Sequence, residues 1–341
     1  LETIVLNSPT DADAQAAFNQ LSGEARSSAQ TAGIEDGHFV RDAVVGRVRD
    51  AFCAVATERS KAHCTDADRF GVWGEAFGSR GHTNNNGNAA TLNRSTGGLF
   101  VGIDAPVFNG WRLGMAGGFG SSSFDVKDRA SSGSSDDYHL GVYGGTQRGR
   151  LGFRAGAAYA VHGVVTDRFV NLPGFADTLS GDYNAGTAQL FGDLGYKIGG
   201  GRVAVEPFGD VAYVSLHTDA FAERGGEAAL ASDGNSTNVT FTTLGLRPEG
   251  SVTLGAMNTT LRGSVGWQHG FGDMVPVSHV SFAGGSSFGI TGVPLAEDAA
   301  ICEGGLDLNV SDRTSLGVSY RGQFGGSATD QDVRGNITLR F

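Results

Sequence analysis

No window of this sequence approaches the roughly 18 continuous apolar residues that a membrane-spanning helix needs. With a mean hydropathy of −0.13, hydropathy alone reads the chain as soluble. That measure is blind to membrane barrels, in which half of every strand is polar. Cysteine is scarce, with 3 in 341 residues, which excludes a disulfide-built scaffold. Proline is scarce too, at 7 residues. Positive charge is outnumbered: 25 Lys and Arg against 36 Asp and Glu leave a net charge of −11, which argues against a nucleic-acid partner. No phosphate-cradling glycine loop occurs, and no cofactor is expected. No signal peptide precedes Leu1, so the chain reads as a processed or truncated product.

Glycine and phenylalanine are abundant, at 55 and 21 residues. A glycine share more than twice the usual ~7%, with many aromatics, suits a protein of many strands and turns. Residues 1–52 differ from the rest. They are rich in Ala, Gln, Arg and Glu and show no alternation. Thr10 or Asp11 can cap a helix start, Ser22-Gly23 restarts it, and Gly33 and Gly37 interrupt it. The reading is two or three short helices with a narrow apolar face: Phe18, Leu21, Ile34, Phe39, Val40, Val44 and Val48. Such a segment could lie on the surface of a soluble domain. It is also thin and polar enough to thread a channel.

From Phe70 onward the period is two. Leu99, Val101 and Ile103 alternate with Phe100, Gly102 and Asp104; Leu151, Phe153 and Tyr159 oppose Arg154, Ala158 and His162; Leu244 and Leu246 oppose Arg247 and Glu249; Leu316, Val318 and Tyr320 oppose Ser319 and Arg321. A β-sandwich alternates as well. Three features favour a membrane barrel. The polar parity mixes both charge signs deep inside strands, with Arg112, Arg154, Arg247, Arg262 and Arg334 beside Glu75, Asp104, Glu206, Glu249 and Glu303. The segments run to about ten residues, beyond the usual five or six. Connections alternate between short (105–110, 146–150, 199–202, 255–259, 311–313) and long, polar ones (79–92, 122–136, 165–182, 217–240, 272–297), with a shorter sixth at 325–331. Short turns on one side and long loops on the other are the pattern of outer-membrane barrels, with an even strand number. The expected architecture is all-β: an up-and-down antiparallel transmembrane barrel of about twelve strands over 70–341, a periplasmic connection at 53–69, and residues 1–52 as a helical linker inside the pore. The barrel termini are then periplasmic and the long loops extracellular.

The chain resembles the C-terminal translocator of classical (type Va) bacterial autotransporters. The resemblance rests on the linker run "FNQLSGEARSSAQTAGIEDGHFVRDAVVGRVR", the first strand "WGEAFGSRG", "STGGLFVGID" with "WRLGMAGGFGSSSF", the late "GVPLAEDAAICEGGLDLNVSDRTSLGVSYRGQFGGSATDQDVRG" and the terminal "ITLRF". It implies a twelve-stranded barrel in the Gram-negative outer membrane, a monomer that secretes and anchors an N-terminal passenger by type V secretion. Implied partners are that passenger, outer-membrane lipid and lipopolysaccharide, periplasmic chaperones and the barrel-assembly machinery. The terminal strand, through Val333, Ile337, Leu339 and Phe341, is the implied assembly signal.

Glu75, Asp104, Glu206, Glu249 and Glu303 are expected to face the linker arginines Arg26, Arg41, Arg47 and Arg49. Cys53 and Cys64 enclose a short polar segment in an oxidising compartment and read as a disulfide, with two free thiols as the alternative. Zinc on Cys53, His63 and Cys64 lacks a fourth ligand. Cys302 has lipid-facing parity. Trp111, Trp267, Tyr196 and Tyr213 suit the interfacial aromatic girdles, while Trp73 shares its parity with Glu75. "GSSFG" at 285–289 matches G-x-S-x-G at Ser287 but sits in a Gly/Ser loop instead of the strand-turn-helix that a nucleophile elbow requires. The Asn-Asn pair used by relatives that cleave their own linker is absent from this linker, whose asparagines are Asn7 and Asn19. The chain is not expected to be an enzyme. A passive diffusion channel and a barrel-borne surface hydrolase or protease are the competing readings.

Overall fold

In the computed structural model of the chain, residues 9–52, 69–200, 203–254, 257–311 and 313–341 are described. Among the described residues three helices come first: α1 (Asp11–Leu21), α2 (Glu24–Asp36) and α3 (His38–Phe52). The Thr10 hydroxyl accepts from the Asp13 amide and caps α1. Gly23, at φ 69°, turns the chain into α2 through a left-handed conformation that a side chain would resist. Gly37 separates α2 from α3.

Seventeen strands follow among the described residues: β1 (Gly71–Thr83), β2 (Leu92–Pro106), β3 (Trp111–Val126), β4 (Ser131–Arg148), β5 (Leu151–Leu172), β6 (Phe175–Tyr196), β7 (Ile198–Gly200), β8 (Val203–Thr218), β9 (Phe221–Ala222), β10 (Leu230–Ser232), β11 (Asn235–Leu254), β12 (Met257–Gly272), β13 (Val277–Phe282), β14 (Phe288–Thr291), β15 (Asp298–Ser311), β16 (Thr314–Gly325) and β17 (Ala328–Arg340). Twelve of them form the wall, in the order β1-β2-β3-β4-β5-β6-β8-β11-β12-β15-β16-β17, every neighbour antiparallel. The wall closes where β17 pairs with β1 over thirteen residues, from Gly71↔Arg340 to Thr83↔Ala328. Closure satisfies every backbone group along both terminal strands, the condition for β-structure in hydrocarbon.

Alternation sorts the side chains as a barrel demands. Leu99, Met115, Leu140, Tyr159, Leu190, Tyr213, Leu244, Val265, Trp267, Val318 and Ile337 lie exposed on the outer wall. Arg94, Arg112, Arg154, His162, Asp193, Glu206, Arg321, Asp332 and Arg334 lie buried on the inner one. Cys302 is exposed with the outward set and forms no disulfide. An outward charge therefore meets lipid. Leu140→Arg is expected to cost about 2–4 kcal/mol, measurable as a lowered urea midpoint for the protein reconstituted in bilayers; an unchanged midpoint would take Leu140 off the lipid face.

The loops depart from the sequence reading in an instructive way. Segments 122–136 and 165–182 are largely strand: β3 and β4 continue to Val126 and from Ser131, and β5 and β6 to Leu172 and from Phe175. Their serines and aspartates still alternate about a ladder, and Pro173-Gly174, with Gly174 at φ 78°, needs only two residues to turn it. The 22-residue strands β5 and β6 exceed the nine to eleven residues that cross a bilayer, so this hairpin stands beyond the membrane. Segments 217–240 and 272–297 are not open loops either. They supply β9, β10, β13 and β14, a four-stranded sheet in the order β14-β13-β10-β9.

Candidate functional site: the occupied lumen

The linker runs through the barrel from end to end. At the long-loop end, α1 buries Ala17 and Leu21 against Val170, Leu172 and Leu179 of the projecting hairpin and Ala228. Phe18, expected on the apolar face, is instead 59% exposed. α2 sits under the four-stranded sheet: Ser27 and Thr31 donate to the carbonyls of Ile290 (2.8 Å) and Val293 (2.6 Å), and Gln30 donates to Ser278 (2.9 Å) and accepts from Thr237 (2.8 Å). α3 ends beside the short turns, where Arg47 reaches Asp104 at the end of β2. The 13 and 15 residues of α2 and α3, at about 1.5 Å each, span about 40 Å, the thickness of a bilayer with its headgroups.

Two kinds of contact hold the helices. One is apolar: Phe39, Val40, Ala43, Val44 and Val48 pack on Trp73, Phe77, Phe100, Tyr143, Ala158 and Phe191 of the inner wall, with Phe39 stacked on Phe77 at 4.3 Å. Trp73 thus faces the linker and donates to the Tyr143 hydroxyl (2.7 Å). Glycines opposite these rings make room; a Cβ at Gly102 or Gly118 would enter the rings of Trp73 and Phe100. The second kind is ionic. Glu24 takes Arg129 (2.6 Å). Glu35 and Asp36 take Arg94, which also pairs with Asp330. Asp42 takes Arg334 (2.9 Å), Asp50 takes Arg262 (2.6 Å), and Arg47 takes Asp104 (2.7 Å). Burial makes unpaired charge costly, and mutual pairing offsets that cost.

The expected contacts sort unevenly. Asp104 and Glu206 do meet linker arginines, although Arg49 stands 3.9 Å from Glu206, whose closer partners are Arg154 (3.1 Å) and Arg247 (3.2 Å) of the wall. Arg41 donates to the Gln189 amide oxygen (2.9 Å), not to an acid. Arg26 lies in the loop layer, where it donates to the carbonyls of Asp219 and Asp233 and sits over Phe221 at 4.3 Å. Glu75 and Glu303 line a cleft along α3, together with Arg41, Asp42, Arg49 and Asp50 of the helix. Neither they nor Glu249 lies within 4.0 Å of a linker arginine among the described residues. The sequence reading missed the reverse polarity: most ion pairs run from linker acids to wall arginines. Glu24, Glu35, Asp36, Asp42 and Asp50 recur at near-helical spacing in the linker, the signal that could have found them.

Val333, Ile337, Leu339 and Phe341 are exposed on the outer wall at the seam, and the Phe341 amide donates to the Phe70 carbonyl (3.0 Å). Cys53 and Cys64 lie outside the described residues. Ser287 lies just before β14, with no helix following it, so no nucleophile elbow forms. Among the described residues no cluster of His, Cys, Asp and Glu could hold a metal.

Comparison with known proteins agrees with this architecture. A family model for the autotransporter beta-domain matches residues 72–321. Over 328 residues, 96% of the chain, the sequence is 35% identical to an extracellular serine protease of Serratia marcescens; the chain spans 31% of the length of that relative. The fold is similar to the translocator domain of the autotransporter NalP from Neisseria meningitidis, with a TM-score of 0.67 at 16% identity over 90% of this chain and 98% of that one. It is also similar to the beta domain of the Bordetella autotransporter BrkA, with a TM-score of 0.62 at 17% identity over 80% and 100%. With its closed twelve-stranded wall and threaded linker, the chain belongs to the autotransporter beta-domain family and is an outer-membrane translocator for an attached passenger.

Proposed function

We propose that the occupied lumen is the state in which this translocator rests once its passenger has crossed: the long-loop end faces outward, the short turns face the periplasm, and the linker both seals the pore and tethers what precedes it. The observation that carries this reading is the continuous path of α2 and α3 between the two mouths. In this scheme a passenger N-terminal to α1 would emerge at the long-loop end, where α1 packs. Passage needs no bound nucleotide in this scheme; folding of the passenger outside and closure of the barrel supply the drive. The name of the Serratia relatives, extracellular serine protease, supports a secreted protease as passenger, carried on the part of the relatives' length that this chain does not span. The barrel itself then does no chemistry, in keeping with the loop setting of Ser287. Periplasmic chaperones and the barrel-assembly machinery are the expected helpers, the terminal strand their recognition element. Orientation is tested by single cysteines at exposed Thr178 and Asn109 in a background with Cys53, Cys64 and Cys302 all replaced by serine. A membrane-impermeant maleimide added to intact cells should label the Thr178→Cys variant and spare the Asn109→Cys variant. Labelling of the second alone would invert the barrel.

A further inference from the structure

One contact between linker and wall differs in kind from the others. Asp104, at the short-turn end of β2, has a fully buried side chain. It accepts from Arg47 Nε at 2.7 Å and Arg47 Nη2 at 2.9 Å, the side-on fork in which a carboxylate matches a guanidinium edge. It also takes Arg112 of β3 and the Tyr143 hydroxyl (3.0 Å). Tyr143 is held in turn by the Trp73 indole (2.7 Å), and Arg112 donates to the Arg69 carbonyl (2.8 Å) at the entry to β1. Gly71 completes the receptor, because a Cβ there would run into the Arg47 guanidinium and come within 3.0 Å of Asp104.

Arg112, Tyr143, Trp73 and Gly71 all belong to the wall. The contacts of Asp104 with Arg112 and Tyr143 therefore run within the wall and do not pass through the linker. No other linker arginine finds a carboxylate in this geometry: Arg26 meets carbonyls, Arg41 an amide, and Arg49 stands 3.9 Å from Glu206. We infer that Gly71, Asp104, Arg112 and Tyr143 form a guanidinium receptor that recognises Arg47 and fixes the depth at which the linker stops. The inference rests on the plug reading above and adds what sets the register. Lysine carries the same charge but lacks the planar fork, so the receptor discriminates between the two.

The test is stepwise channel opening of the whole chain in planar bilayers, with folding of each variant confirmed by heat-modifiable migration. Arg47→Ala should open about ten times more often than the unmutated chain, and Arg47→Lys should open as often as Arg47→Ala despite its charge. Guanidinium chloride at millimolar concentration should close Arg47→Ala, whereas equal methylammonium or sodium chloride should not. Gly71→Ala should be leaky and unresponsive, since its crowded site admits no guanidinium. An Arg47→Lys variant that closes like the unmutated chain, or equal rescue by methylammonium, would reduce the contact to charge alone and overturn the receptor. Openings unchanged in both Arg47 variants would overturn it as well. Failure of the plug reading has a separate signature: deletion of residues 11–52 would then leave the conductance as it was.

Discussion

Deleting residues 11–52 should raise single-channel conductance about tenfold, because a helix some 10–12 Å across with its side chains is removed from a twelve-stranded tube whose wall stays closed through β1 and β17. The effect is large because the linker fills the lumen from both mouths. The apolar strip of Phe39, Val40, Val44 and Val48 lies against one wall, and Asp42 and Asp50 bridge toward the other through Arg334 and Arg262. Current in the intact chain should be confined to the cleft beside α3, which Arg247, Arg321, Glu75 and Glu303 line. A plain diffusion channel behaves differently: its conductance would change less than about twofold on losing the same residues.

The second large effect concerns the seam. Ile337→Asp combined with Leu339→Asp should reduce the amount of folded barrel in the outer membrane by about an order of magnitude, since each places a carboxylate on a lipid-facing position of the closing strand. Both residues point outward, opposite Gly74 and Val72 on β1, and the final residue holds the corner through the Phe341 amide and the Phe70 carbonyl. Heat-modifiable barrel in outer-membrane fractions reads the outcome. The matched lumen-side control, Asn336→Asp, should accumulate normally. Equal loss in both variants would show that strand chemistry on either face matters, and the outward apolar row would lose its special role.

Much of this was legible in the sequence because a barrel wall is a local code. Each side chain's face follows from parity, so Leu99 and Tyr159 outward and Arg154 and Arg321 inward could be read residue by residue. The helix breaks at Gly23 and Gly37 were local too. Partner choice inside the lumen was not. Whether Arg41 meets an acid or Gln189 depends on helix rotation and on the stagger of β6 against β5, which no period encodes. Glu75 and Glu303 carry the right charge and parity, yet α3 lies mainly against β4 and β5 and leaves those acids facing the cleft. The loops misled for a related reason. Serine, glycine and aspartate at 122–136 and 165–182 look like loop composition, but a ladder with a neighbour on each side tolerates them, and the hairpin simply continues. The sheet of β9, β10, β13 and β14 is built from two segments some fifty residues apart in the chain, so only the closed barrel brings them together.

The plug requires α3 to lie inside the tube. Gly46 on α3, Gly192 on β6 and Gly335 on β17 all have room for a spin label, and β6 and β17 stand on opposite sides of the wall. Pairwise electron–electron distances from Gly46→Cys to Gly192→Cys and to Gly335→Cys, in a Cys53, Cys64 and Cys302 serine background, give the position of the helix directly. Both should be about half the distance measured between Gly192→Cys and Gly335→Cys. A Gly46 label as far from either wall position as the two wall positions are from each other would put the linker outside the barrel and contradict the account.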